Sequence, residues 1–226
     1  MEHAARSRPL GVLGGTFDPI HCGHLELARE VREALDLPTI LLVPAGDPPH
    51  RGAPVAPARH RLAMVELAVK DHPGLEVDGR EISRRGPSYT VLTLEELRAE
   101  RPFQSLALIV GADAFLGLPD WHRWRDLFSL AHLVVVARPG LDLDAALRGD
   151  LAIEWRSRLT DDARALENPP GGRIYRQSIT PHAISATAIR AALSRGRAAD
   201  LRNMVPPAVL AYIGRNHLYH SSPDAT

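Results

Sequence analysis

An open, doubly wound α/β sheet of parallel strands is the fold class that this sequence predicts. Two observations predict it. Short apolar runs alternate with stretches of helical periodicity, and two of the later runs are aliphatic almost throughout, as strands covered on both faces must be. The first run, Leu10–Gly15, precedes Leu25, Ala28, Val31 and Leu35 at helical spacing, which gives a strand and then an amphipathic helix. Residues 39–43 read as a second strand stopped by Pro44, and Leu62, Val65 and Val69 mark a second helix. Val91, Leu94 and Leu97 define a third helix, and residues 106–110 and 132–137 are the two buried strands. Between Gly140 and His182 the pattern weakens. Asp, Arg and Ala dominate there, and Asn168-Pro169-Pro170-Gly171-Gly172 is a loop signal, so the stretch reads as a surface excursion. Residues 173–175 suit a last strand, Ser185 suits the N-cap of a helix reaching Leu193, and residues 207–219 suit a helix packing back on the rest. With no internal repeat and no long linker, residues 1–226 read as one domain, with a core over about 8–183 and a helical part over 184–226.

Composition narrows the function classes. A chain of 226 residues with 45% hydrophobic side chains can fill one sizeable core. The 27 basic and 27 acidic residues cancel, so no whole-molecule field draws the chain to nucleic acid or to an anionic membrane, and any phosphate site must be local. Arg supplies every basic residue except Lys70, a bias that GC-rich coding explains more simply than phosphate binding does. Cys22 is the only cysteine, which excludes an intrachain disulfide. Residues 1–9 lack the apolar stretch of a signal peptide and no run has the length of a membrane span, so a cytoplasmic location is expected.

The chemistry concentrates in Gly14-Gly15-Thr16-Phe17-Asp18-Pro19-Ile20-His21-Cys22-Gly23-His24, between the first strand and first helix, where open α/β sheets bind ligands. Paired glycines let phosphates approach the backbone, and a helix starting near Gly23 aims free N–H groups at them. His21 and His24 share a face of its first turn, so two imidazoles with charge adjustable near neutral pH can donate to one polyphosphate. A metal site of His21, Cys22 and His24 is disfavoured because sequence neighbours on a helix cannot all face one ion. The Gly-x4-Gly-Lys-Ser/Thr and Gly-x-Gly-x-x-Gly loops are both absent, which counts against P-loop enzymes and nicotinamide dehydrogenases. Far along the chain, Ser185 caps a helix whose N-terminal amides face an anion, and Arg190 one turn on can fork onto phosphate oxygens. Gly111 and Asp113 follow a buried strand: Asp113 either accepts from ribose hydroxyls or caps a helix. Trp121, in a polar Arg-rich stretch, is either a stacking surface for a planar ring or a partly buried anchor. Arg138, just past another buried strand, either meets a phosphate or is an ordinary surface residue.

These segments resemble a known superfamily. Residues 14–24 match the Gly-x-Phe-Asp-Pro-x-His-x-Gly-His signature of the HxGH nucleotidyltransferases, and Ile184-Ser185-Ala186-Thr187-Ala188-Ile189-Arg190 resembles their Ile-Ser-Ser-Thr-x-Ile-Arg motif, with Ala186 replacing the second Ser. Three middle segments are similar to the bacterial nicotinate mononucleotide adenylyltransferases. The first is Asp47-Pro48-Pro49-His50-Arg51 with Arg59-His60-Arg61-Leu62-Ala63-Met64 after it, where Arg51 stands in place of the usual Lys. The second is Arg85-Gly86-Pro87-Ser88-Tyr89-Thr90, and the third runs through Gly111-Ala112-Asp113, Leu118-Pro119-Asp120-Trp121-His122-Arg123-Trp124 and Arg138-Pro139-Gly140. The likeness spans nearly the whole chain and is weakest over 141–183, which is long for the family.

The resemblance implies a Rossmann-like nucleotidyltransferase fold with a C-terminal helical part. It also implies transfer of an adenylyl group from ATP to nicotinate mononucleotide in NAD biosynthesis, without a covalent enzyme intermediate. It places Gly14, Gly15, Thr16, Phe17, His21, His24, Gly111, Asp113, Ile184, Ser185, Thr187 and Arg190 on ATP, with His21, His24 and Arg190 catalytic. It places His50, Arg51, Tyr89, Thr90, Trp121, His122 and Arg138 on the mononucleotide. Mg2+ would accompany the ATP phosphates without a protein cage, with Asp18 a candidate to reach it through water. No nucleic acid or membrane partner is expected, homo-oligomerisation is left open, and related pantetheine-phosphate, cytidylyl and nicotinamide mononucleotide enzymes are the competing readings.

Overall fold

The computed structural model describes residues 8–48, 53–137 and 142–220. Its strands are β1 (Leu10–Gly15), β2 (Ile40–Pro44), β3 (Leu75–Val77), β4 (Leu106–Gly111), β5 (His132–Ala137), β6 (Leu159–Thr160) and β7 (Ile174–Ser178). They form one parallel sheet in the order β3-β2-β1-β4-β5-β7-β6. The chain therefore winds outward from β1 in one direction and from β4 in the other. The crevice beyond the carboxyl ends of β1 and β4 is the point at which strand order reverses.

Alternation along each strand feeds two cores, one per face. Leu13, Ile40, Leu42, Ala107, Ile109, Val134 and Val136 belong to the first, and Val12, Leu41, Val43, Leu108, Val110, Leu133 and Val135 to the second. The helices α1 (Cys22–Ala34), α2 (Ala58–Val69), α9 (Ala186–Leu193) and α10 (Pro207–Arg215) bury residues in the first core. The second core is closed by α4 (Thr90–Glu100), α5 (Ala112–Leu116), α6 (Leu127–Leu130), α7 (Leu143–Ala146) and α8 (Gly149–Arg158). One short helix, α3 (Arg80–Ser83), follows β3. Ile189, Val209 and Ile213 lie in the same cluster as Leu25 and Val31, so the C-terminal helices share their core with the N-terminal half. No helix among the described residues is long and apolar enough to cross a membrane.

Four expectations need correction. Residues 142–182 are not a surface excursion: Leu143, Leu151, Trp155 and Leu166 are each at most 2% exposed, α8 packs on the second core, and β6 adds an edge strand. The cause is visible afterwards. Leu143, Leu147, Leu151 and Trp155 recur every four residues, a helical stripe masked by the charged residues between them, and the Trp155 indole N–H donates to Asp144 Oδ1 at 2.7 Å. The short strand β3 had no run long enough to signal it. The buried face of α2 is Arg61, Met64, Val65 and Ala68, whereas Leu62 and Val69 are only half-buried. The last helix stops at Arg215, after which His217 (φ 50°) and Tyr219 (φ 65°) adopt left-handed backbone and turn the chain inward.

Candidate active site

The glycine-rich loop leaves β1 at the strand-order reversal. A Cβ on Gly15 would lie 2.9 Å from Phe17 Cζ, so the aromatic ring closes over a position that only glycine can occupy. Phe17 itself is buried, holds a left-handed backbone (φ 49°), and meets the His24 ring edge-on at 5.1 Å. His21 is the N-cap of α1 in extended conformation, and its ring stacks on His24 with centroids 3.7 Å apart. The His21 N–H donates to His24 Nδ1 at 3.3 Å, one half of a capping box, while the His24 N–H donates to the His21 carbonyl at 2.9 Å. With Nδ1 accepting, the proton of neutral His24 rests on Nε2, the atom that can donate outward. Burial lowers the His21 pKa from 6.5 to about 4, so this imidazole is neutral at pH 7. The expected charge adjustable near neutral pH therefore does not hold for His21.

The second signature arrives from the far end of the chain. Ser185 is the N-cap of α9, its hydroxyl accepting from the Ala188 N–H at 3.2 Å. A Cβ on Gly23 would sit 3.6 Å from Ile184 Cβ, which places the start of α9 against the start of α1. From α9, Arg190 Nη1 donates to the Asp18 carbonyl at 2.7 Å, across 172 residues of sequence, while Nη2 lies 3.4 Å from Thr187 Oγ1. The guanidinium is thus already held by one prong on the glycine-rich loop. The segment before α9 is tied down as well, since Glu30 on α1 accepts from the Thr180 N–H at 2.8 Å and lies 3.6 Å from His182 Nε2.

On the other side of the reversal point, Gly111 ends β4 and is the N-cap of α5, with Asp113 exposed in that helix's first turn. Asp113 is therefore not a cap, and its carboxylate stands at the carboxyl end of the sheet. Tyr89 is the N-cap of α4, Thr90 is its first residue, and the Tyr89 ring stacks on His122 at 4.3 Å. Trp121 is half-buried against the second core, so it is an anchor on one side with part of its indole still accessible. His50, Arg51 and Arg138 lie outside the described residues.

A family model of cytidylyltransferase-like proteins matches residues 12–192. A probable nicotinate-nucleotide adenylyltransferase of Dechloromonas aromatica is 48% identical over 218 residues, covering 96% of this chain and 100% of the relative. One from Halorhodospira halophila is 51% identical over 202 residues, covering 89% and 91%. The chain belongs to the nicotinate-nucleotide adenylyltransferase family. Among solved structures, the Plasmodium falciparum nicotinic acid mononucleotide adenylyltransferase complexed with NaAD superposes with a TM-score of 0.70 at 16% identity, covering 94% of this chain and 97% of that one, a likeness of fold.

Local sequence patterns do not mark several residues that hold this candidate site together. Arg61 is 1% exposed and donates to the carbonyls of Thr16 at 2.7 Å, Gly46 at 3.0 Å and Ala56 at 3.2 Å, tying α2 to the ends of β1 and β2. An arginine on the same helical face as Met64, Val65 and Ala68 was the available signal. Ser88 Oγ accepts from the N–H groups of Gly46 at 2.9 Å and Asp47 at 3.1 Å. Nearby Glu81 is buried, which raises its pKa, and accepts from the Thr93 hydroxyl at 2.6 Å. Asp18, a candidate to reach a metal through water, is buried, and its carboxylate accepts from Val55 and Ala56 N–H and from the Tyr219 hydroxyl. No three His, Cys, Asp or Glu among the described residues are grouped to hold a metal ion.

Proposed function

We propose that this chain, as one nucleotidyltransferase domain, transfers the adenylyl group of ATP to nicotinate mononucleotide, giving nicotinate adenine dinucleotide and pyrophosphate. The observation that carries the reading is the meeting of the His21–His24 turn with the α9 N-terminus and Arg190 at the strand-order reversal, in a chain of this family. In the reaction a phosphate oxygen of the mononucleotide forms a bond to the α-phosphorus of ATP as the bond to the β-phosphate bridge breaks. Catalysis is then positioning plus stabilisation of developing charge. His24 Nε2 and neutral His21 donate to the triphosphate, with the backbone of Gly14, Gly15, Thr16 and Phe17, the α9 N-terminus from Ile184 to Thr187, and the second prong of Arg190. Gly111 and Asp113 take the adenosine ribose.

The nicotinate ring is assigned to the Tyr89–His122 stack, Thr90 and Trp121, and the mononucleotide phosphate to His50, Arg51 and Arg138. The donors around the clamp are imidazole, guanidinium, hydroxyl and backbone N–H. They suit phosphate oxygens rather than a hard cation, and the Asp18 oxygens are occupied by the chain itself. Mg2+ is therefore carried by the phosphates, where it offsets their charge. Both substrates are small cytoplasmic metabolites, and the reading places the enzyme there.

Pyrophosphate release from ATP measured across nicotinate, nicotinamide, pantetheine and cytidylyl-type acceptors tests the assignment. Backbone donors at the α4 N-terminus satisfy both oxygens of a carboxylate, whereas an amide turns its NH2 toward at least one of them. At about 1–3 kcal/mol for an unmade hydrogen bond, nicotinate should be preferred over nicotinamide mononucleotide by roughly 10-fold to several hundredfold in kcat/KM. Equal values for the two remove the nicotinate assignment, and no release with any acceptor removes the activity.

A further inference from the structure

We propose that Tyr219 is a positioning residue for adenylyl transfer: through the buried carboxylate of Asp18, its hydroxyl fixes how Arg190 and residues 53–57 meet the glycine-rich loop. The proposal rests on the reading of the function given above. Asp18 stands where four parts of the chain converge. Its Oδ1 accepts from the Tyr219 hydroxyl at 2.7 Å and the Ala56 N–H at 3.1 Å, and its Oδ2 accepts from the Val55 N–H at 2.8 Å. Arg190 Nη1 lies 3.9 Å from Oδ2 while bonded to the Asp18 carbonyl at 2.7 Å. A buried carboxylate is held only while its partners are in place, so each partner also fixes the others.

Tyr219 is the partner contributed by the C-terminal tail, 201 residues from Asp18 in sequence and 8% exposed. Its left-handed backbone, at φ 65°, is an unfavourable conformation for a bulky residue, and such conformations persist where the surroundings over-determine them. Burial and the acceptor Asp18 push the phenol pKa far above its ordinary value, so it remains a donor at every working pH. A cavity of about 270 Å³ lined by Val55, Arg190, Ala191, Ser194, Tyr219 and His220 borders these groups, room into which Arg190 can shift once the cross-link is cut.

The same tail supplies its own control. Tyr212 on α10 pairs its hydroxyl with His60 Nδ1 at 2.9 Å, a bond of the same kind to α2 that does not involve the glycine-rich loop. Full-length wild type, Tyr219→Phe, Tyr212→Phe, Arg190→Lys and the Tyr219→Phe/Arg190→Lys pair are compared by steady-state kinetics and thermal unfolding. Tyr219→Phe should lower kcat by about 5- to 50-fold with KM for nicotinate mononucleotide within about twofold, because the lost contact aligns the phosphate side alone. Tyr212→Phe should keep kcat within about twofold despite a similar fall in Tm. The double variant should be no more than about twofold worse than Arg190→Lys, since both changes act through one guanidinium. Wild-type kcat in Tyr219→Phe, or losses in both Tyr→Phe variants that track Tm, overturn the proposal. If Tyr219→Phe does not fold, the near-isosteric Asp18→Asn must give the same split, and wild-type kcat there overturns it equally. A wild type that releases no pyrophosphate removes the function and this proposal together.

Discussion

The two halves of the proposed site, the side proposed to take the phosphates and the side proposed to take nicotinate, are built on different terms. On the phosphate side, buried groups hold one another: Arg61 grips three backbone carbonyls, Asp18 accepts from two backbone amides and a phenol, and Arg190 is pinned by one prong. On the nicotinate side the parts are half-exposed rings, with Tyr89 against His122 and Trp121 leaning on the second core. Fixed donors stabilise charge as it appears in the transition state without reorganising. Accessible ring faces grip a flat substrate about equally before and during reaction. The difference teaches that changes on the phosphate side belong in kcat and changes on the nicotinate side in KM.

The largest test of that division is His24→Ala, which should lower kcat by on the order of 100-fold or more while ATP binding weakens far less. Near wild-type turnover in the folded variant breaks the division at its centre. Arg190→Lys comes next: lysine keeps the charge but cannot bond Asp18 and a phosphate with one planar group, so kcat/KM for ATP should fall by roughly 10- to 30-fold. Unchanged ATP kinetics would take Arg190 out of the site. Trp121→Ala should raise KM by roughly 10-fold for both nicotinate and nicotinamide mononucleotides and leave their ratio within a few-fold, since both rings are flat and similar in size. A collapse of the ratio would move substrate selection onto the indole.

The smallest effect is on stability. The folded-state pKa of His21 is depressed to about 4, so the unfolded chain binds more protons between about pH 6.5 and 4. The contribution of neutral His21 is intact above pH 6.5 and is lost as the pH falls toward 4, by about 3 kcal/mol. Unfolding of wild type and His21→Gln across that range should show the steeper loss in wild type. Parallel curves would mean that the imidazole is not held neutral by burial.

What the sequence determined by itself is what local chemistry and period control. Alternating apolar runs gave the parallel sheet, and Ser185 read correctly as a cap because the rule for helix starts is local. The Gly14–His24 loop was legible because its residue types are unusual together, and its place after the first strand already put it at a sheet's carboxyl end. Tertiary structure decided the rest. Nothing local in Tyr219 or Arg61 marks a partner for Asp18 or Thr16, since those contacts span 201 and 45 residues. The stretch 141–183 looked like a loop because its charged residues outnumber a four-residue apolar stripe, and only a face of the sheet left uncovered by other helices turns that stripe into core. His21 likewise carries its ordinary pKa in any isolated peptide, and its neutrality exists only once the fold, with the His24 ring stacked on it, has removed it from water.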